Sequence, residues 1–165
     1  MVLVGRRLSA EELAAVLADP ETVDTLLYGD LDDEAAEMPE PELDLDKSWH
    51  GIHYLLTGTA WHIGEGAGAA ILGGDVIGQD GGYGPARLLD PATVHAIATA
   101  LDALNVETLR ARFDPNAMAT AGIYPDIWAN GTEEFDNYLA PNFTKLRRFY
   151  QTAAVHRQAV LLAIT

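Results

Sequence analysis

The chain contains no cysteine, which removes disulfides, thiolate nucleophiles and thiolate zinc sites at once. It is also poor in basic residues: ten Lys and Arg stand against 25 Asp and Glu, a formal net charge of −15. A protein that grips a phosphate backbone needs clustered cations to displace counterions, so nucleic acid is not an expected ligand. Serine is nearly absent. Ser9 and Ser48 both stand at helix starts, and no GxSxG elbow exists to expose a nucleophile. No apolar run approaches the length of a membrane span, and the stretch MVLVGRRLSAEEL has neither the long apolar centre nor the small-residue cleavage site of a signal peptide. A cytoplasmic protein with no membrane partner is the expectation.

What is present is a globular composition. With 165 residues, 48% of them apolar, the chain can bury a core as one domain spanning 1–165, without metal or disulfide support. The stretch DKSWHGIHYLLTGT, from Asp46 to Thr59, predicts a central helix over 46–57, with Asp46 as its cap and Gly58 just past its end. At 100° per residue Trp49, Ile52 and Leu56 share one face, Leu55 lies beside them, and His53 sits on the border. After Lys47 this stretch has no formal charge, as expected of a helix packed on all sides.

Other signals flank it. Val2–Val4 reads as a strand, and Ser9 with Glu12 has the spacing of a capping box for a helix through Leu13, Val16 and Leu17. Asp19-Pro20 predicts a second helix start, ending at Gly29. Residues 30–45 form an acidic loop by their charge and by Pro39 and Pro41, with Leu43 and Leu45 tacking its end onto the core. That loop lacks the glycine-turned spacing of a calcium site, so a solvated segment is the simpler reading. The glycine-dense stretch from Gly64 to Gly84 reads as turns around Ala69–Leu72, then a strand over Ala86–Leu89. It has neither a βαβ setting nor a Walker lysine for nucleotide binding.

Asp90-Pro91 caps an amphipathic helix through Leu104. Asn105 and Asp114-Pro115 begin two short helices, and Thr132 opens a long one that Pro141 must kink or divide. The apolar run Ala159–Ile164 predicts a buried strand beside Val2–Val4. The expected fold is α+β: a small antiparallel sheet including the N- and C-terminal strands, packed by several helices around the central one.

The segments DLDKSWHGIHYLLTG (Asp44 to Gly58), GYGPARLLDPATV (Gly82 to Val94), RARFDPNAM (Arg110 to Met118), IYPDIW (Ile123 to Trp128) and LRRFYQTAA (Leu146 to Ala154) come in an order that resembles the YfbM-like family, a bacterial domain of unknown function. The resemblance implies a compact α+β domain with a small antiparallel sheet. It carries no catalytic residue set.

The residues themselves suggest one pocket: His50, His53, Tyr54, Arg87, Tyr124 and Asp126, walled by Trp49, Trp61 and Trp128. Arg87 lies in an otherwise apolar strand and requires a partner if buried, either Asp46 or Asp126, or the carboxylate or phosphate of an anionic ligand. His50, nearer the polar side of its helix, is the residue expected to reach a ligand, and His53 is expected to be structural. His50, His53 and His62 are the side chains a metal would use, with Glu65 or Asp80 as a further ligand. No HExxH pattern supports this, so neither metal nor other cofactor is expected. The charge and the absence of a catalytic signature favour a non-enzymatic binding protein whose acidic face meets a basic protein partner, an immunity-type inhibitor being one form. The alternative is a small-molecule enzyme or ligand sensor using the His/Tyr/Arg pocket. Oligomeric state is not specified by any of these features.

Overall fold

The two chain ends build the middle of the sheet. In the computed structural model, which describes residues 1–29 and 39–165, β1 (Leu3–Leu8) pairs antiparallel with β5 (Ala159–Ile164), from Leu3 opposite Ile164 to Leu8 opposite Ala159. On one side β2 (Leu43–Asp44) joins β1. On the other, β4 (Pro85–Leu89) joins β5 and β3 (Asp75–Asp80) forms the outer edge, giving the order β2-β1-β5-β4-β3 with every pairing antiparallel.

Alternation along these strands gives the sheet two faces, and both are covered. One face carries Leu8, Ala86, Leu88, Ala159, Leu161 and Ala163 and packs on Val16 of α1 (Ala10–Ala18) and Val23 of α2 (Thr22–Tyr28). The other carries Leu3, Leu43, Leu89, Val160 and Leu162 and meets the larger helical layer: α3 (Trp49–Thr57), α4 (Pro91–Asp102) and α7 (Ala140–Val155). The short helices α5 (Val106–Arg110) and α6 (Pro115–Thr120) add Leu109 and Met118 to that core. Each large side chain buried here contributes roughly 1.5–3 kcal/mol. The fold is α+β, with the terminal strands in the sheet as the sequence predicts.

Local chemistry explains most boundaries. Ser9 and Glu12 form the capping box, with Glu12 N–H on Ser9 Oγ at 3.1 Å and Ser9 N–H on Glu12 Oε2 at 2.8 Å. Asp90, Asn105 and Asp114 cap α4, α5 and α6 through their side chains. Leu43 and Leu45 are buried and anchor the chain leading into the central helix. Of the expected acidic loop, residues 30–38 lie outside the described residues.

The structure also corrects several expectations. Asp46 does not cap α3. It has a φ of 49° and opens a single 3-10 turn, Asp46–Ser48, before the α-helix begins at Trp49. The helix after Pro20 starts two residues late, because Asp19 Oδ1 accepts the Glu21 N–H in a turn of its own. β1 runs on past Val4 through Gly-Arg-Arg, because Arg6 and Arg7 find carboxylates, Glu12 and Glu42, each at 2.8 Å. The glycine-dense stretch holds a 3-10 turn, Gly66–Ala69, and a strand, β3, which bulges between Ile77 and Asp80. Ahead of Pro141, Phe135–Leu139 forms a π-helical turn, so the proline falls in the first turn of α7, where its missing N–H costs no helical bond.

Candidate functional site

α3 is the axis from which the candidate site is built. Gly51 gives it a close neighbour: a Cβ there would lie 2.7 Å from Trp128 Cη2 and 2.8 Å from Leu139 Cδ2. Trp128 is fully buried in that contact, its Nε1 donating to the Ile123 carbonyl at 2.6 Å. It is a packing residue, enclosed in the core. Tyr54, half-buried, likewise packs against the main core.

His50 is fully buried, and both its nitrogens are engaged. Nδ1 accepts the Tyr124 N–H at 3.0 Å and Nε2 faces the Ala60 carbonyl at 2.9 Å. Nδ1 must therefore be bare and Nε2 protonated: a neutral ring in a fixed tautomer. Burial pushes its pKa below the ordinary imidazole value, opposed by the Ala60 hydrogen bond. The ring stacks on Trp49, centroids 4.8 Å apart at 18°, and meets Trp61 at 4.4 Å and 40°. His50 thus ties the segment after α3 to the helix and sets the position of Trp61.

His53 is also fully buried, and neither ring nitrogen has a hydrogen-bond partner among the described residues. Burial, with the neighbouring His50 and His62 rings adding to it, lowers its pKa to about 4. The His62 main chain opposes the shift without closing a hydrogen bond of good geometry. His62 itself is exposed. Among the described residues no group of three or more His, Asp or Glu side chains is arranged to hold a metal ion.

Arg87 lies elsewhere. It stands on β4, opposite Leu162 of β5 and Val76 of β3, on the sheet face that carries the larger core. There it lines an open cleft of about 210 Å³ with Trp61, Ile63, Ile71, Leu72 and Tyr83. Its one hydrogen bond among the described residues goes from Nη1 to the Gly74 carbonyl at 3.4 Å, so neither Asp46 nor Asp126 is its partner. Asp46 instead accepts from the Tyr138 hydroxyl at 2.7 Å; burial, with that hydrogen bond adding to it, raises the phenol's pKa. Asp126 is exposed and borders, with Tyr124, a separate shallow depression.

The structure therefore brings together His50, Tyr124, Trp49 and Trp61, and places Arg87 on the far side of Trp61. Of the expected site residues only Trp61 and Arg87 line the cleft; His50, Trp49 and Tyr124 do not, nor do His53, Tyr54, Asp126 and Trp128. Ile63 and Tyr83 complete it, and neither is among the expected site residues. Large apolar side chains inside a glycine-rich, irregular stretch were the signal that could have found them.

These features define an α+β domain with a five-stranded antiparallel sheet, an acidic helical layer on one face and an aromatic, singly cationic cleft on the other. Residues 1–163 match the family described as a domain of unknown function (DUF1877), and the chain belongs to that family. Its fold is similar to the crystal structure of YfbM from Escherichia coli, a protein of unknown function. The two match over 100% of both chains with a TM-score of 0.75 at 20% identity. No curated protein sequence matches.

Proposed function

We propose that this is a non-enzymatic binding protein that meets a basic protein partner through an acidic face, an inhibitor of the immunity type being one form. The observation that carries the reading is the charge of the α1–α2 layer. Residues 10–29 contain Glu11, Glu12, Asp19, Glu21 and Asp24 and no Lys or Arg. Among the described residues only Glu12 has an ion-pair partner, Arg6. Leu17 of α1, 63% exposed, stands between Glu12 and Asp19 in the chain and offers an apolar contact beside these acids. Such a surface accelerates encounter with a cationic partner and disfavours acidic ones.

This role suits a protein of the bacterial cytoplasm. Among the described residues no helix is long and apolar enough to cross a membrane. Affinity capture at graded salt tests the reading. The expected partner is basic and is released as ionic strength rises, whereas a partner retained equally at low and high salt removes the electrostatic basis. The other reading, a small-molecule enzyme or sensor built on a His/Tyr/Arg pocket, draws support from Arg87 alone. Both nitrogens of His50 are occupied, and His53 is enclosed in the core.

A further inference from the structure

We infer that the cleft around Arg87 is a binding site for a small organic acid, whose carboxylate meets the guanidinium and whose apolar body lies against Trp61, Ile63 and Tyr83. The inference is independent of the acidic-face reading, because the cleft lies on the opposite face of the sheet from α1 and α2.

Three observations converge on it. First, among the described residues Arg87 is the sole charged side chain lining the cleft, a cation in a chain of net charge −15. It is half-buried on a sheet face whose neighbours are Leu162 and Val76, and a guanidinium has five N–H donors. Only a 3.4 Å contact to the Gly74 carbonyl is made within the described protein. The carboxylates nearest along the chain on either side are already used: Asp90 Oδ1 accepts the Thr93 N–H at 2.7 Å as the cap of α4, and Asp80 Oδ1 accepts the N–H groups of Gly82 and Gly84, at 2.7 and 2.9 Å, and holds the β3–β4 turn.

Second, the apolar walls are exposed where burial would be expected. Trp61 is 61% exposed, Tyr83 57% and Ile63 43%, and they gather around one concavity instead of being scattered. A contiguous apolar patch around a single convergent polar group is the composition of a small-ligand site.

Third, Trp61 is held in place. Its ring packs on His50, which both Ala60 and Tyr124 clamp, and it lies 6.3 Å from Trp49. An aromatic wall fixed before binding loses little entropy when a ligand arrives.

The ligand class follows from the charge count. One guanidinium matches one carboxylate through two parallel hydrogen bonds, whereas a phosphate dianion calls for more than one cation. At about 210 Å³ the cleft admits a small acid and excludes a helix or folded loop.

The test uses the whole chain, isotopically labelled, and follows amide and indole resonances by NMR during titration with phenylacetate, phenylacetamide or phenyl phosphate. The expected result is that millimolar phenylacetate shifts the Trp61 indole and the amides of Ile63, Tyr83 and Arg87, with phenylacetamide weaker by roughly tenfold or more. Arg87→Gln should abolish the difference between acid and amide, and Arg87→Lys should keep part of it. Should Arg87→Gln fail to fold, the comparison of acid with amide on the unaltered protein still decides. Equal binding of acid and amide, tighter binding of phenyl phosphate, shifts confined to other residues, or no shift at all would each overturn the inference.

Discussion

The backbone N–H of Tyr124 donates to Nδ1 of His50 at 3.0 Å, which obliges that imidazole to stay neutral and to give its remaining proton to the Ala60 carbonyl. One ring thereby joins α3 to the segment that follows it and to Tyr124, 74 residues further along the chain. His50→Ala should remove both hydrogen bonds, leave a cavity beside Trp49 and cost about 2–4 kcal/mol in chemical denaturation. It should also free Trp61, seen as faster quenching of tryptophan fluorescence by acrylamide, since Trp49 and Trp128 are fully buried.

His53→Leu should behave differently. Its two ring nitrogens have no partner among the described residues, so the substitution removes desolvated polar atoms and breaks no hydrogen bond. Stability should change by less than about 1.5 kcal/mol, in either direction, in the same denaturation measurement. A loss as large as that of His50→Ala would show that His53 does make a bond.

The same two rings set a pH dependence. Both have folded-state pKa values below the ordinary imidazole value, His53 falling from 6.5 to about 4. Between 6.5 and about 4 the unfolded chain holds a proton on His53 that the folded one does not. The histidine contribution is therefore intact above about pH 6.5 and is lost as pH falls toward 4. Unfolding free energy should decline across this window by up to about 1.4 kcal/mol per pH unit for His53, with His50 acting in the same direction. Urea melts at stepped pH would reveal it, and His53→Leu should flatten the slope. A stability independent of pH there would contradict the enclosed neutral rings.

Gly51→Ala should cost roughly 1–3 kcal/mol in thermal or urea unfolding, although alanine is the better helix former. Its methyl would meet Trp128 and Leu139 at under 3 Å. Pairing it with Trp128→Phe, which trims the opposing ring, should recover part of the loss.

Much of this fold is legible from local chemistry. The capping box at Ser9, the caps at Asp90, Asn105 and Asp114, and the paired terminal strands follow from side chains acting within a few residues or from continuous apolar runs. What escaped depends on partners distant in sequence. β1 continues through Gly5-Arg6-Arg7 because Glu42 reaches back to accept the Arg7 N–H at 2.6 Å and pair with its guanidinium. β3 hides among glycines because pairing with β4, not propensity, makes it a strand. Of the candidate site, the periodicity of α3 placed His53 on its border, but it could not show that Tyr124 and Ala60 would enclose His50. The sequence singled out Arg87 for its apolar strand. Its neighbours Ile63 and Tyr83 come from loops whose course only the folded chain defines.

The most direct measurement bears on the acidic α1–α2 layer. The binding constant of the captured basic partner should be determined over a range of salt for the unaltered chain, for Glu11→Lys with Glu21→Lys, and for Asp126→Lys with Glu133→Lys as exposed controls outside that layer. The account predicts that the first pair weakens binding by roughly tenfold or more and flattens its salt dependence, while the control pair leaves both nearly unchanged. Equal affinities and equal salt slopes for both pairs would contradict it.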